Sequence, residues 1–447
     1  MSYANYLHIT PSSAGNRKKF TISTWFKKSK PSGQGWLLTV DTYPGGNMFQ
    51  FQLDTSGNIG VQQYSGSTSQ TSVTTNNLLR DLSAWYHVVL RVDTTQATAS
   101  DRVRIYLNGE EASYNTTTYP SQNFDYAVNN TVQHQINSRL DATSTNGQST
   151  YFAHYHLCDG YSYAPTEFGQ TDSTTGIWKP VTSPSVSYGT NGFFLKFQDT
   201  SNFGDDSSGN TNDLTTVGTI TQAEDTPSNN FATLNPLQSN LSLTNGNTSA
   251  TTTNYKYGLS TLAVSSGKWY VEMKVTHGCM IMGIQDMIKA NDGLRNTAIF
   301  WSNGSESYHL DGFSRFTHDS YGDISTSSTD YPTYGSGDIV MMAVDLDNNK
   351  LAYGKNGTWY NSADPSNGTN MVTIDAPSTL TSGYYGIVGA DTCSASDGTF
   401  EFNFGNGYFG TTAVASSNSD GNGYGLFEYS VPTGYYSLCT KNLKEFG

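Results

Sequence analysis

One antiparallel pattern is written twice in this chain. From Trp85 to Asn115, WYHVVLRVDTTQATASDRVRIYLNGEEASYN runs from an apolar strand to Asp93, through a polar loop to Val103-Arg104-Ile105-Tyr106-Leu107, and stops at Asn108-Gly109. From Gly335 to Pro365, GSGDIVMMAVDLDNNKLAYGKNGTWYNSADP repeats the order, with Asp345 and Asp347 at the turn and Asn356-Gly357 at the end. Asn and Gly accept positive φ, so each pair lets the chain leave its sheet. Two such hairpins, far apart in the sequence, predict two bodies built of strands.

The flanking segments have the same period. In FTISTWF, Phe20, Ile22, Thr24 and Phe26 share one face and Thr21, Ser23 and Trp25 the other, as in a half-buried strand. In DIVMMAVDL, Val340, Met342, Val344 and Leu346 point one way and Ile339, Met341 and Ala343 the other, so both faces are apolar and the strand lies between two layers. Further strands are expected at Tyr6 to Ile9, Trp36 to Val40, Met48 to Leu53, Ile59 to Gln63, Phe193 to Phe197, Lys268 to Val275, Met280 to Gln285, Ala298 to Trp301, Lys350 to Tyr353, Tyr385 to Gly389 and Thr399 to Phe404. Helical periodicity is nearly absent. A chain of 447 residues exceeds the size at which one core stops growing, and 44 glycines with only 13% charged residues suit thin sheets and polar turns. The expected fold is all-β: two tandem antiparallel β-sandwich (jelly-roll) domains, residues 1–218 and 246–447, joined by an irregular, proline-containing linker, 219–245.

A net charge of −14 without a Lys/Arg stripe argues against nucleic acid as a partner. No run of 18 apolar residues is present, so no membrane insertion is expected. MSYANYLHITPSSAG lacks a basic and an apolar leader region, so no secretory signal is expected. Cys158, Cys279, Cys393 and Cys439 lack metal or C-x-x-C spacing and are read as buried, reduced residues. Positive charge gathers at Arg17, Lys18, Lys19, Lys27, Lys28 and Lys30, around a strand; gatekeeping of an exposed edge is the favoured reading, and a contact with an acidic partner subunit the other.

Residues 1 to about 215 resemble a LamG-type domain of the concanavalin A-like group, through FTISTWFKKS, WYHVVLRVD and VRIYLNGEEA. The second half resembles a SPRY domain, through GKWYVEMKV, GDIVMMAVDLDNNKLAYGKNGTWY and YYGIVGA. DGYSYAPTEFGQTDSTTGIWKPV, DDSSGNTNDLT, DTPSNNFATLNPL and VPTGYYSLCTKNL look like segments of structural proteins of marine bacteriophages. In those proteins the D-x-S-G-N-x-N-D string opens a LamG-like domain, whereas here it follows one.

Concanavalin A-like folds also host glycosidases, which need two carboxylates flanking the scissile bond. No E-x-D-x-E pattern exists, and Asp345 and Asp347 stand at the mouth of a turn, where Asp caps backbone groups. There is no G-x-S-x-G, and His87, His154, His156, His277, His309 and His318 lie near no Ser or Cys motif. His154 and His156 alternate on an expected strand, where a hydrogen-bonded histidine is favoured over a metal pair. The loop Gly204 to Asp213 offers Asp205, Asp206, Asn210, Asn212 and Asp213 as oxygen ligands for Ca²⁺, with a network of Asx turns as the favoured alternative; the LamG resemblance implies a rim calcium at Asp41 or Asp93 instead. Among 30 tyrosines and 7 tryptophans, Tyr308, Tyr321, Tyr331, Tyr334, Trp359 and Tyr360 fall in expected loops and form the candidate ligand-binding rim, with core or rim filling as the alternative for each; Tyr43 and Tyr64 are similar positions in the first half.

The resemblance implies a non-enzymatic virion component, a tail fibre or a tail or head appendage. It would be assembled in a host cytoplasm and would present sandwich loops to a host-surface glycan or protein and to other virion subunits, as a homo-oligomer. A cytosolic peptide-binding adaptor of SPRY type and a polysaccharide-active enzyme with a lectin-like module are the competing readings.

Overall fold

The computed structural model describes residues 5–41, 46–139, 149–174, 176–237, 241–252, 256–288, 306–318, 329–391 and 398–447, together with the backbone of 322–325. Strands dominate; among the described residues there is one α-helix, Thr440–Phe446, and no helix long and apolar enough to cross a membrane. The strand expected at Ala298 to Trp301 lies outside the described residues. The chain divides into two compact units, 1–222 and 223–447.

The first unit is a sandwich of two antiparallel sheets. One runs in the order Tyr114–Thr118, Thr68–Thr75, Ile59–Ser65, Met48–Leu53, Gly35–Asp41, His134–Ile136, Tyr6–Ile9, Thr215–Val217. The other runs Phe193–Leu195, Thr150–Asp159, Lys19–Lys28, Trp85–Asp93, Val103–Leu107, Glu110–Glu111. Phe20, Ile22, Phe26, Val88, Leu90 and Leu157 of the second sheet meet Val40, Phe49, Phe51 and Val61 of the first in one buried cluster. Each such side chain contributes about 2 kcal/mol when fully withdrawn from water.

The basic segment is not an edge. Lys19–Lys28 pairs with Thr150–Asp159 on one side and Trp85–Asp93 on the other, so it is an interior strand. Lys27 and Lys28 are buried; the Lys28 ammonium donates to the Leu79 carbonyl at 2.8 Å, and that of Lys27 lies 5.4 Å from the Tyr151 ring centre. Burial holds the Lys28 pKa below its usual value, with Asp54 acting against it. Lysines could be read as gatekeepers because their alternation is that of any strand; only the partners on both sides exclude it.

In the second unit one sheet has the path Ser242–Thr244, Ser249–Thr252, Gly398–Asn403, Lys268–Val275, Ile339–Asp345, Lys350–Lys355, Thr358–Trp359. The facing sheet has Tyr257–Val264, Tyr385–Asp391, Met280–Asp286, Ser307–Asp311, Phe316–His318, Gly322–Ser325. Val340, Met342 and Val344 enter the main core, while Met341 and Ala343 face outward under Phe427 and Tyr435. The C-terminal segment is therefore the second layer that the doubly apolar strand required. Tyr436–Ser437 adds a parallel pairing to Trp269 and Tyr270, beside the part of Lys268–Val275 that Gly398–Asn403 pairs.

The stretch 219–245, read above as a linker, is built into the second unit from residue 223 on. Phe231, Ala232 and Leu234 are buried; Ala232 N donates to Leu438 O at 2.9 Å, and Phe231 and Leu234 bridge Cys439 and Ser260. Between 226 and 234 its strand contacts are single bridges, which is why that part shows no strand period, whereas Ser242–Thr244 pairs as a ladder with Ser249–Thr252.

The two hairpins of the opening pattern are equivalent in detail. Asn108 and Asn356 both have φ of 49°, followed by Gly109 at 90° and Gly357 at 85°, two-residue turns with positive φ at both positions. Asn108 Oδ1 accepts the His87 N–H at 2.9 Å, and Asn356 Oδ1 accepts that of Ile339 at 2.8 Å. At the far end, Lys19 pairs with Asp93 at 3.2 Å and Lys268 with Asp345 at 2.8 Å, each across neighbouring strands. Each turn glycine lies under an aromatic ring from a later segment: a Cβ on Gly109 would stand 2.9 Å from Trp178, and one on Gly357 would stand 2.9 Å from Tyr429.

Candidate functional site

The tyrosines read as a rim are mostly interior. Tyr308, Tyr331, Tyr334 and Tyr360 are each no more than 5% exposed and belong to the core of the second unit. The Tyr334 hydroxyl lies 2.6 Å from the Met280 carbonyl and 2.9 Å from that of Leu310, and Tyr308 Oη accepts the Asp375 N–H at 3.1 Å. Trp359 is half-buried, edge-on to Tyr270 at 6.2 Å. Tyr321 lies outside the described residues, as does Tyr43. The physical reason for the correction is economy of core: with few aliphatic residues, the sheets fill their interior with tyrosines, of which Tyr334 finds backbone carbonyls for its hydroxyl while that of Tyr360 is buried without a hydrogen-bond partner.

The acidic loop is closed on itself. Asp206 Oδ1 accepts the N–H groups of Phe194 (2.9 Å) and Ser208 (2.8 Å), and Oδ2 accepts that of Asn212 (2.9 Å) and the Ser208 hydroxyl (2.8 Å). Asp213 Oδ1 accepts Asp206 N–H at 2.9 Å, and Asn210 donates to the carbonyls of Gly189 and Gly192. Asp205 and Asp213 are exposed. The carboxylates of Asp206 are spent on backbone donors, so Asp205, Asp206, Asn210 and Asp213 do not fit a calcium cage; this is the Asx-turn network. Asp93 is likewise engaged, by Thr95, Gln96 and Lys19. Among the described residues no three His, Cys, Asp or Glu side chains are grouped to hold a metal. Asp345 is held by Lys268 and Asn348, and Asp347 caps the Gly267 N–H at 2.8 Å.

A serine and a histidine do meet, although no motif announced it. Ser23 Oγ lies 2.9 Å from His87 Nε2, and both residues are fully buried. The indole N–H of Trp178 donates to His87 Nδ1 at 3.0 Å. An indole can only donate, so Nδ1 is the acceptor nitrogen, the proton sits on Nε2, and Nε2 donates to Ser23. The imidazole therefore cannot take the serine proton, and the pair is structural. Burial, with His154 nearby, drops the His87 pKa to about 3.

The outer face of this sheet carries a strap, residues 160–190. Its Phe168 and Tyr188 pack with Val89, Cys158 and Phe194. Besides Trp178, it is tied by Tyr188 Oη to His156 Nδ1 (3.0 Å), by Arg91 Nε to Ser162 Oγ (2.7 Å) and by Tyr163 N to Thr21 Oγ1 (2.8 Å).

Where the strap leaves and rejoins the sheet, an open cleft of about 430 Å³ is lined by Gly15, Asn16, Asp159, Gly160, Tyr161, Gly189 and Thr190. Asp159 is its buried anchor: Oδ1 accepts Asn16 N–H at 2.7 Å and Oδ2 accepts Asn191 N–H at 3.1 Å, leaving a lone pair on each oxygen. Asn16 Oδ1 accepts the N–H groups of Lys18 and Lys19, and Asn16 Nδ2 lies 3.9 Å from the position a Gly160 Cβ would take. Glycine is required at the walls: a Cβ on Gly15 would stand 2.1 Å from Asp159 Oδ2, and one on Gly189 2.1 Å from the Asp159 carbonyl. Tyr161 is 40% exposed and stacks on Tyr163 with centroids 5.4 Å apart and planes 10° from parallel. A flat ring beside carboxylate, amide and hydroxyl groups in a shallow cleft suits a polyhydroxylated ligand. None of these positions forms a local motif, since they come from three separated segments; the exposed aromatic of DGYSYAP was the available signal.

Residues 2–148 match the family described as the concanavalin A-like lectin/glucanases superfamily. No curated protein matches the chain. Among solved structures, the SPRY domain of human HERC1 is similar at 13% identity, covering 38% of this chain and 96% of that one, with a TM-score of 0.29. The PSpry domain of TRIM65 is similar at 12% identity, covering 38% and 91%, with a TM-score of 0.27. The CBM40 of a Ruminococcus gnavus IT-sialidase, bound to alpha2,3 sialyllactose, is similar at 14% identity, covering 34% and 92%, with a TM-score of 0.24. Over residues 2–148 the chain is thus similar to concanavalin A-like proteins, and the described residues of both units form antiparallel β-sandwiches.

Proposed function

We propose that the protein is a non-enzymatic binding protein that recognises glycans through the Asp159–Tyr161 cleft of its first unit. The observation that carries this reading is the pairing of an exposed Tyr161 ring with a rigid polar floor formed by Asn16, Asp159 and Thr190. Ring faces stack on the apolar face of a pyranose, while the free lone pairs of Asp159 accept sugar hydroxyls. The match of residues 2–148 to a lectin-containing superfamily supports it.

The wider setting of the proposal is a virion: an appendage assembled in a host cytoplasm, homo-oligomeric, with the sandwiches exposed to the host surface and to other virion subunits. The sequence resemblance to marine phage structural proteins supports that setting. A glycan array probed at neutral pH tests the binding reading: wild-type protein should retain a defined set of glycans and Tyr161→Ala should lose them, whereas binding indifferent to Tyr161 removes the cleft from the account. Mass spectrometry of purified particles tests the setting, which falls if the chain is missing from them.

A further inference from the structure

His87 sits at the centre of a buried junction between the sheet and the strap. From the sheet it meets Ser23 Oγ and stacks on Trp25 with centroids 4.7 Å apart; from the strap it receives the Trp178 indole N–H. The other titratable and charged groups around the junction are identifiable. His154, His156 and Cys158 come from the Thr150–Asp159 strand, Arg91 from Trp85–Asp93, and Lys196 follows Phe193–Leu195; Tyr106 packs at the margin. The strap supplies Tyr163, Tyr188 and the Lys179–Asp172 ion pair at 2.6 Å. Asp206 acts on Tyr188 from the acidic loop. No carboxylate touches any of the three histidines among these contacts, and Nε2 of His156 is buried without a hydrogen-bond partner.

We propose that His87 is a proton-operated latch on the strap: a proton on Nδ1 replaces the acceptor of Trp178 with a second donor, releases residues 160–190, and withdraws Tyr161, Gly189 and Thr190 from the cleft. The geometry gives the direction. At 3.0 Å two N–H groups facing each other repel, so an attractive anchor becomes a repulsive one. His156 ties Tyr188 at 3.0 Å on the same sheet face, but a hydroxyl accepts as well as donates, so that contact survives a proton on Nδ1 and the switching contact is the one between His87 and Trp178. The inference rests on the cleft reading, because the strap forms one wall of that cleft.

The linkage has a definite sign. Burial, then His154, lowers the His87 pKa to about 3; burial, then Lys196, lowers that of His154 to about 4; burial, then His154 and His87, holds His156 well below the ordinary value. A released strap restores the ordinary imidazole value of about 6.5. The closed strap keeps its full stability above that value and loses it progressively as pH falls from there towards 3–4, because only the open form takes up the protons.

Hydrogen–deuterium exchange of the full chain, corrected for intrinsic rates, reads this directly at about pH 7.5 and about pH 5. Peptides within 160–190 are expected to exchange roughly tenfold faster at the lower pH, while peptides from Met48–Leu53 and Ile59–Ser65 keep their protection. His87→Gln, which offers Trp178 a permanent acceptor, is expected to suppress most of that ratio. Trp178→Phe, which lacks the donor, is expected to speed exchange of the strap already at the higher pH, and it decides the matter if the glutamine variant does not fold. Equal strap exchange at both pH values, or loss of strap and inner strands together, overturns the latch. An empty glycan array at neutral pH would end the glycan reading without touching this result.

Discussion

Trp178 packs so closely on Gly169 that a Cβ there would stand 2.3 Å from Cζ2 of the indole ring. Gly169 is not in the left-handed region, so the steric conflict is isolated from backbone strain. Gly169→Ala should force the ring off Gly109 and away from His87, at a cost of about 1–3 kcal/mol. Chemical denaturation of the full chain, compared with Gly335→Ala, where φ is not positive and a Cβ meets nothing within 4 Å, measures it.

Tyr334 is a core residue and not a ligand contact. Its one hydroxyl proton is shared between the carbonyls of Met280 and Leu310. Tyr334→Phe should lower stability by about 1 kcal/mol while leaving glycan binding unchanged. A loss of binding at unchanged melting temperature would return this ring to the list of contacts.

Glu272 is buried under the C-terminal segment, where it accepts the N–H groups of Glu428 (3.0 Å) and Tyr429 (2.8 Å), the Tyr270 hydroxyl (2.9 Å) and Asn403 Nδ2 (3.2 Å). Desolvation outweighs these donors and raises its pKa to about 7. The unfolded carboxyl ionises near 4.5, so between 4.5 and about 7 the folded form holds more protons, and stability falls with rising pH across that window. The expected loss is roughly 3 kcal/mol from this group. Denaturant melts of wild type and Glu272→Gln at both ends of the window should show a smaller slope in the variant.

The cysteines divide. Cys279 is disulfide-bonded, against the expectation of four reduced thiols, while Cys158 and Cys439 are free and buried; Cys393 lies outside the described residues. Thiol titration of unreduced protein should find almost none in the native state. On denaturation, the thiols of Cys158 and Cys439 should both appear. Burial pushes both thiols up in pKa, which slows their reaction further.

Strands with apolar alternation were legible. Tyr6–Ile9, Lys19–Lys28, Trp85–Asp93, Lys268–Val275 and Ile339–Asp345 stand where the period placed them. Thr68–Thr75 and Tyr114–Thr118 were not read, because threonine-rich strands carry no apolar period. The candidate tyrosines were misplaced for a related reason: tyrosine is compatible with both rim and core, and only the carbonyls above Tyr334 decide between them.

By itself the sequence determined the hairpins. Asn108-Gly109 and Asn356-Gly357 permit positive φ, and alternation in the flanking strands sets which side chains face inward, so both are properties of neighbouring residues. Tertiary structure alone decided that Trp178 and Tyr429 cover those turns, that Ser23 meets His87 in a tautomer unable to act as a base, and that Gly15, Asp159 and Thr190 close one cleft. Such contacts join positions far apart along the chain, and the sheet registers that bring them together are fixed by packing of whole faces, which no local pattern encodes.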